Sequence, residues 1–598
     1  MESTFWYLIA FASIFLLSLL LWLLSAISPN LHSGFLRHIA YPLLIQRRRL
    51  WDSVTRLEAI LIALFLIGNL LIIFAPFKDI DWRQVERRAA FAAGVNAVPL
   101  CLGGRMGPIV QTLNIHRSSY LLFHHWVGRV AVIEAVSHAV IVVLRRPTPG
   151  PLVTSGWVTF GGFLGACLFS FWFSRLLLGR WFLLSHRAVT LTGVSALFWH
   201  ALRVSKLRAQ ALVGLCCVMW LVSTFLRLHK LIFYRLSGEV TEKLEGRNAT
   251  KIEVSLKYPI RVPAGSYFNV FFPGRLTPYN LLYSFPAVAF WHPPDEDNHS
   301  GKVSNVSFLL SHRSSHMSAL AKLEKGQRIL LDGPLGQDLA LSSYENVILL
   351  AKGIGIAGVL PMALELAERH RHDTRIKSKI DELLSQEQRL RIQQQEASPE
   401  TQSMLSGKID ELVKERNSLL QKPLFRCAIK QIEVFWYLEN NSQMDWVADE
   451  LRALQKLDPV NNYIIVWCGY PCPRMGEPPF RLTSRHWMCL EPAVGRKPFD
   501  ELFISKIKEE RKRLQGRMLV STKVRKGALD SIGDMGVTFV ETEYRPYSVD
   551  ALPTSETVLH DNLRERAKQL RKKKSQDLEM RNLTARSSYG SSYSVQLD

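Results

Sequence analysis

Four histidines stand inside long apolar runs of this 598-residue chain, where an ionisable side chain is costly and more often functional than accidental. His124 and His138 share one run, His186 and His200 another, and both pairs are fourteen residues apart. At 100° per residue this spacing returns to within about 40° of the same helix face, and at 1.5 Å per residue it separates the rings by roughly 21 Å. Two helices bearing such pairs can clamp two flat groups, one towards each side of a bilayer. Neutral imidazoles are good axial ligands for haem iron, and a haem pair bridges a membrane by electron hopping. His125 is thirteen residues from His138 and its face differs by about 100°, so His124 is the expected ligand.

Holding those rings at two depths takes helices that cross the membrane, each of about twenty mostly apolar residues. Seven stretches qualify or nearly do: Phe5 to Ile27, Leu57 to Phe77, Ala89 to Val110, Tyr120 to Leu144, Trp157 to Phe173, Trp181 to Ala201 and Ala209 to Leu226. Gly103, Gly104, Arg105 and Pro108 interrupt the third. The first begins without a basic leader and reads as a retained span. One span separates the fourth from the sixth, so those two run parallel. His124 must then share a level with His186, and His138 with His200. Short-loop Lys and Arg residues divide eight against nine between the two sides, which decides nothing, although Arg47-Arg48-Arg49 favours a cytoplasmic first loop.

The chain is 48% hydrophobic and 21% charged, and almost all its long apolar runs precede about residue 235. That division excludes a collagen, a disulfide scaffold and a purely soluble enzyme. Lys and Arg number 74 against 52 Asp and Glu, a net +22, but the excess is spread through short loops and the tail. It reads as membrane-flanking charge and not as a nucleic-acid footprint. The eight cysteines form no framework; Cys468 and Cys472 read as small buried hydrophobes rather than a zinc or redox site.

Beyond Tyr234 short β-type runs with turns, Lys251 to Leu256 and Tyr267 to Phe272 among them, suit a small β-barrel. Asn346 to Ala351 reads as a buried strand. It leads into Gly353-Ile354-Gly355-Ile356-Ala357-Gly358 and a helix with Pro361 in its first turn. Glycines there let backbone amides approach a pyrophosphate at a helix N-terminus. Arg369 to Gln421 is charged and carries two similar segments, Lys379 to Leu383 and Lys408 to Leu412, around Ala397-Ser398-Pro399-Glu400, the pattern of a solvated helical hairpin. Gln431 to Tyr437, Tyr463 to Trp467 and Arg517 to Ser521 are further candidate strands. The basic tail after Pro546 reads as disordered.

The segment His124-His125-Trp126-Val127-Gly128-Arg129, followed by His138, resembles the His-x-Trp-[hydrophobic]-Gly-Arg haem segment of the fungal ferric reductase transmembrane family, relatives of the superoxide-forming NADPH oxidases. The Arg105 region and Trp199-His200 resemble it too, and the likeness runs from about Leu57 to Pro546 outside one insertion. Gly265 and Tyr267 match the family's Pro-Gly-x-Tyr element at the flavin. Ser284-Phe285-Pro286-Ala287 matches its Ser-His-Pro-Phe signature, with Phe285 for His and Ala287 for Phe. Gly333 and Gly336 match its Gly-Pro-Tyr-Gly turn, and Gly353, Gly355, Gly358 and Pro361 its NADPH loop. The family's Cys-Gly-Pro element, expected around Val520 to Lys526, is absent. Cys468-Gly469-Tyr470-Pro471 has similar composition but comes a strand too early. Val537 to Pro546 resembles the family's terminal strand beside the flavin.

The resemblance implies an α-helical membrane bundle followed by a cytosolic ferredoxin-reductase-like unit: residues 1–235 for two b-type haems, 236–340 as an antiparallel β-barrel for FAD, and 341–550 as an α/β NADP-binding domain with helical insertion 369–421, ahead of the tail 551–598. It implies a multi-pass protein of the plasma membrane that passes electrons from cytosolic NADPH to ferric or cupric chelates outside, with no nucleic-acid partner and the oligomeric state open. A superoxide-producing oxidase, and a haem-binding subunit without turnover, are the alternatives.

Overall fold

The computed structural model describes residues 43–45, 54–75, 80–101, 117–145, 147–171, 182–204, 206–233, 236–246, 249–271, 285–293, 302–311, 323–336, 339–474, 476–491, 518–522 and 538–541, with a few isolated positions. The expected span Phe5 to Ile27, Ser284 and the tail lie outside them.

Six long helices fill the described part of the first 235 residues: α1 (Arg56–Phe74), α2 (Trp82–Leu100), α3 (Arg117–Leu144), α4 (Pro151–Phe169), α5 (Phe182–Val204) and α6 (Leu207–Phe233). Four of them, α1, α3, α4 and α6, are long and apolar enough to cross a membrane among the described residues. Large side chains such as Leu64, Ile67 and Leu70 point outwards, as helices in a lipid solvent require. α2 departs from the expected span: it starts at Trp82 and ends at Leu100, because Asp81 caps it by accepting from Arg83 N–H at 2.9 Å. Its polar first turns therefore belong to the helix. Inside the bundle Asn96 of α2 donates to Asn69 of α1 and to Glu134 of α3, both at 2.9 Å, so three helices are tied by a polar clasp that hydrocarbon would penalise if it opened.

Six strands follow: β1 (Leu236–Gly246), β2 (Ala249–Ile260), β3 (Tyr267–Phe271), β4 (Phe285–Phe290), β5 (Val303–Ser311) and β6 (Arg328–Leu335). They close an antiparallel barrel in the order β1-β2-β5-β4-β3-β6. Alternation sets its two faces. On β4, Ala287 and Ala289 enter the barrel core, whereas Val288 and Phe290 pack outwards into a second core shared with the next domain.

That domain is a parallel sheet of β7 (Asn346–Lys352), β8 (Gln431–Tyr437), β9 (Ile464–Gly469), β10 (Trp487–Leu490), β11 (Met518–Thr522) and β12 (Thr538–Glu541), in the order β10-β9-β8-β7-β11-β12. The chain leaves β7 in one direction through β8 and returns to its other side at β11, so the topological switch lies beside the C-terminal end of β7. Open α/β sheets bind ligands there. Helix α7 (Ile356–Glu396) rises directly from that point for 41 residues, α8 (Pro399–Leu420) folds back along it, and α9 (Ala448–Leu457) follows β8. The expected hairpin is present, yet its first arm is a continuation of the dinucleotide helix and not a separate excursion. Ile376, Leu383, Leu405 and Ile409 are buried in the hairpin, and Glu387 receives Arg391 Nη2 at 2.8 Å and pairs with Arg416 across the arms.

Candidate functional site

In the membrane half α3 and α5 bring their histidines together level by level. The rings of His124 and His186 lie 6.5 Å apart between centroids and nearly perpendicular, at 73°. His138 and His200, each fourteen residues further along the same two helices, form the other level. Such pairing requires α3 and α5 to run in the same direction. Two imidazoles this close, on separate helices, would suit an iron-bearing cofactor that takes one nitrogen ligand from each.

The protonation of these rings follows from their partners. Ser170 Oγ donates to Ala166 O at 2.7 Å, so its oxygen must accept from His186 Nδ1–H, 3.1 Å away. Ser155 Oγ likewise donates to Leu152 O at 2.8 Å and accepts from His200 Nδ1–H at 3.1 Å. His138 Nδ1 faces the Glu86 carbonyl at 3.2 Å, and a carbonyl can only accept. Three of the four rings thus carry the proton on Nδ1, which puts the lone pair on Nε2, the atom that binds iron. Among the described residues no cluster of three or more His, Cys, Asp or Glu forms.

Ser155 and Ser170 were not legible as functional residues, although one signal existed. They lie fifteen residues apart on α4, almost the histidine spacing, and α4 meets α5 through Gly162 and Gly193. Gly193 is seven residues from each α5 histidine; Gly162 is seven from Ser155 and eight from Ser170. A Cβ on Gly162 would fall 2.5 Å from Gly193 Cα, so these glycines set the helix separation midway between both Ser–His contacts.

In the second half, Gly353 to Gly355 form a tight turn between β7 and α7, and Gly353 has φ +52°, a left-handed conformation that suits glycine. Trp436 Nε1–H donates to Gly353 O at 2.9 Å and fixes the turn to the end of β8. Gly355 and Gly358 are buried against the sheet, and Pro361 falls in the second turn of α7 rather than the first. The loop presents backbone amides at a helix N-terminus, which fits a pyrophosphate.

The flavin candidates divide. Gly265, with φ +79°, packs on Met362 of α7, and Ala264 N–H donates to Glu365 Oε2 at 2.8 Å. Gly336 lies close to this turn: a Cβ on it would be 3.6 Å from Gly265 O. Tyr267, on β3, pairs with Leu335 and packs against the shared core. Gly265, Tyr267 and Gly336 therefore gather beside the first turns of α7. Gly333 instead closes on Phe268 inside the barrel. Phe285 and Pro286 lie on β4 opposite Val270 and Asn269, and Ala287 is fully enclosed in the barrel core. His292, just beyond β4, shares a 2.9 Å hydrogen bond with Ser307, and burial lowers its pKa. Cys468-Gly469 ends β9, two strands from the switch point, which removes it as a nicotinamide element; Cys468 is fully buried and Cys472 exposed.

A membrane helical region followed by a closed antiparallel barrel and a parallel sheet with a glycine turn at its switch point is the architecture of a helical membrane protein with a ferredoxin-reductase-like unit. No protein-family model matches the chain. It is 23% identical over 352 residues to Ferric/cupric reductase transmembrane component 2 of Saccharomyces cerevisiae, covering 52% of this chain and 46% of that protein. It is 21% identical over 394 residues to Ferric/cupric reductase transmembrane component 1 of Candida albicans, covering 58% and 49%. The chain spans about half the length of these curated relatives, and the resemblance seen in its motifs extends to a similarity in sequence with fungal ferric and cupric reductase transmembrane components. Among solved structures, a ferredoxin NADP+ reductase from Neisseria gonorrhoeae aligns with TM-score 0.30 and 11% identity over 52% of this chain and 98% of that one. A flavohemoglobin from Malassezia yamatoensis aligns with TM-score 0.32 and 9% identity over 77% and 96%.

Proposed function

We propose that this chain is a multi-pass transmembrane reductase of the plasma membrane. It takes electrons from a cytosolic reduced nicotinamide dinucleotide, NADPH by the family resemblance, and delivers them through FAD and two b-type haems to ferric or cupric chelates on the far side. The observation that carries this reading is the level-by-level pairing of histidines on α3 and α5, with Nδ1 protonated on three of them. When bound, FAD converts a two-electron hydride into single electrons and each haem carries one of them. The protein's own work is positional. Ser155 and Ser170 hold two imidazoles in the ligating tautomer, Gly162 and Gly193 fix the spacing of their helices, and the turn at Gly353 offers amides to a pyrophosphate. The turn at Gly265 docks on α7 so that the flavin and nicotinamide sites adjoin. A dinucleotide-driven path places the barrel and sheet in the cytosol, and seven spans then put the N-terminus outside.

Membranes carrying the wild type should show a low-spin b-type spectrum on dithionite reduction, and His138→Ala should lose a large part of it together with chelate reduction. Equal spectra in the two would remove the haem assignment. Ferric chelate reduction against superoxide output, measured on the same membranes, separates the reductase from an oxidase.

A further inference from the structure

The dinucleotide loop has a neighbour that no spacing in the sequence points to. Glu439 lies two residues beyond the end of β8, the strand next to β7, and its side chain packs on the first glycine of the loop. A Cβ on Gly353 would be 3.0 Å from Glu439 Cδ and 3.1 Å from its Oε2. The turn that carries it is well fixed: Glu439 N–H donates to Gln443 Oε1 at 2.8 Å, Asn440 accepts from Ser442 N–H at 3.2 Å, and Asn441 donates to Pro473 O at 2.9 Å. Trp436, three residues earlier, holds Gly353 O.

In βαβ dinucleotide folds the position at the end of the second strand, beside the glycine turn, meets the adenosine ribose. A carboxylate there accepts from the 2′-hydroxyl, whereas a 2′-phosphate calls for a cation. A phosphate monoester carries close to two negative charges at neutral pH, so a carboxylate facing it repels it. A cation on this rim among the described residues is Lys352, exposed at the end of β7 with its ammonium 5.6 Å from the centroid of the Tyr437 ring.

We propose that Glu439 is the residue that sets donor specificity, and that it selects NADH over NADPH by binding the ribose diol and repelling a 2′-phosphate. This assignment rests on the electron-transfer reading above and replaces the NADPH of the family resemblance with NADH. The test uses the detergent-solubilised full chain loaded with FAD and haem. It combines equilibrium binding of NAD+ and NADP+ by calorimetry with the rate of flavin bleaching by NADH and NADPH. NADH should win by about tenfold or more in kcat/KM, tenfold corresponding to about 1.4 kcal/mol. Glu439→Arg should shift the preference towards NADPH, and Glu439→Gln, an isosteric change that keeps the turn, should narrow the ratio from both sides by weakening NADH and admitting NADPH. Lys352→Ala should leave the NADH preference in place. NADPH preferred by the wild type, or a ratio unmoved in both Glu439 variants, would overturn the assignment. Selective NAD+ binding without flavin reduction would uphold the assignment and sink the electron-transfer reading instead; binding of neither dinucleotide would sink both.

Discussion

Replacing Gly162 with alanine should damage both histidine levels at once, because the clash falls midway between them. The new Cβ would lie 2.5 Å from Gly193 Cα and 2.8 Å from Gly193 N, and both are backbone atoms that no rotamer change can move. Ordinary carbon contacts begin at about 3.5 Å, so α4 and α5 must separate by roughly 1 Å. Serine and histidine now stand 3.1 Å apart at either end of this contact. The same displacement takes them to about 4 Å, outside hydrogen-bonding range. Each hydrogen bond is worth about 1 kcal/mol, and losing the partner that orients a ligating histidine typically costs about 10- to 100-fold in metal affinity. The assay is the dithionite-reduced minus oxidised spectrum per mole of protein, with flavin content of the soluble half as internal reference. Haem should fall at both levels while flavin stays. Gly161→Ala is the control, since nothing lies within 4 Å of a Cβ at that neighbouring position. A full haem complement in Gly162→Ala, or an equal loss in Gly161→Ala, would refute the reasoning.

Gly353→Ala forces a side chain into a left-handed conformation at about 1–2 kcal/mol and against Glu439, so the KM for the dinucleotide should rise about tenfold while the dithionite-reduced haem spectrum is unchanged; an unaltered KM would count against the loop. Glu387→Ala strips Arg416 and Arg391 of their shared carboxylate at about 1–3 kcal/mol, and hydrogen exchange should quicken along the hairpin around Leu383 and Ile409 but not in the barrel. Burial holds the His292 imidazole below its ordinary pKa, so the folded chain resists a proton that the unfolded chain accepts. Its contribution is complete above the unfolded value of about 6.5 and is lost as pH falls through that value towards the folded one. The thermal unfolding temperature of the barrel and sheet should therefore drop between about pH 7 and 5, and His292→Asn should flatten the slope; parallel curves would dismiss the histidine as the cause.

How much could be read in advance varied with where each signal was written. β7 holds a continuous apolar run, Val347 to Ala351, the signature of a strand buried on both faces, and Gln431 to Tyr437 is a strand at the residues expected. The two histidine pairs stood out because a helix converts a spacing of fourteen directly into face and height. α2 was misread at its start because Arg83, Gln84, Glu86, Arg87 and Arg88 look like a loop to any apolar window, whereas a cap at Asp81 carries the helix through them. The hairpin was read as separate because the charged composition begins near Arg369. No residue there breaks the helix, so α7 simply runs on. Glu439 was beyond reach: α7 and α8 insert about eighty residues between it and the glycine it touches, and only strand order makes them neighbours.

Both halves of the molecule solve their positioning problem in the same physical way. A backbone that must come very close to another carries glycine, and the group that fixes its chemistry stands on a different element: Gly162 with Ser155 and Ser170 serving the α5 histidines, Gly353 with Trp436 and Glu439, Gly265 with Met362 and Glu365. Each supporting group is distant in sequence from the residue it serves, so each interaction forms only once the helices or strands have packed. Chemistry at these sites is therefore a consequence of completed tertiary structure, and substitutions on α4, which carries none of the four paired histidines, should weaken haem binding as surely as substitutions of the histidines themselves.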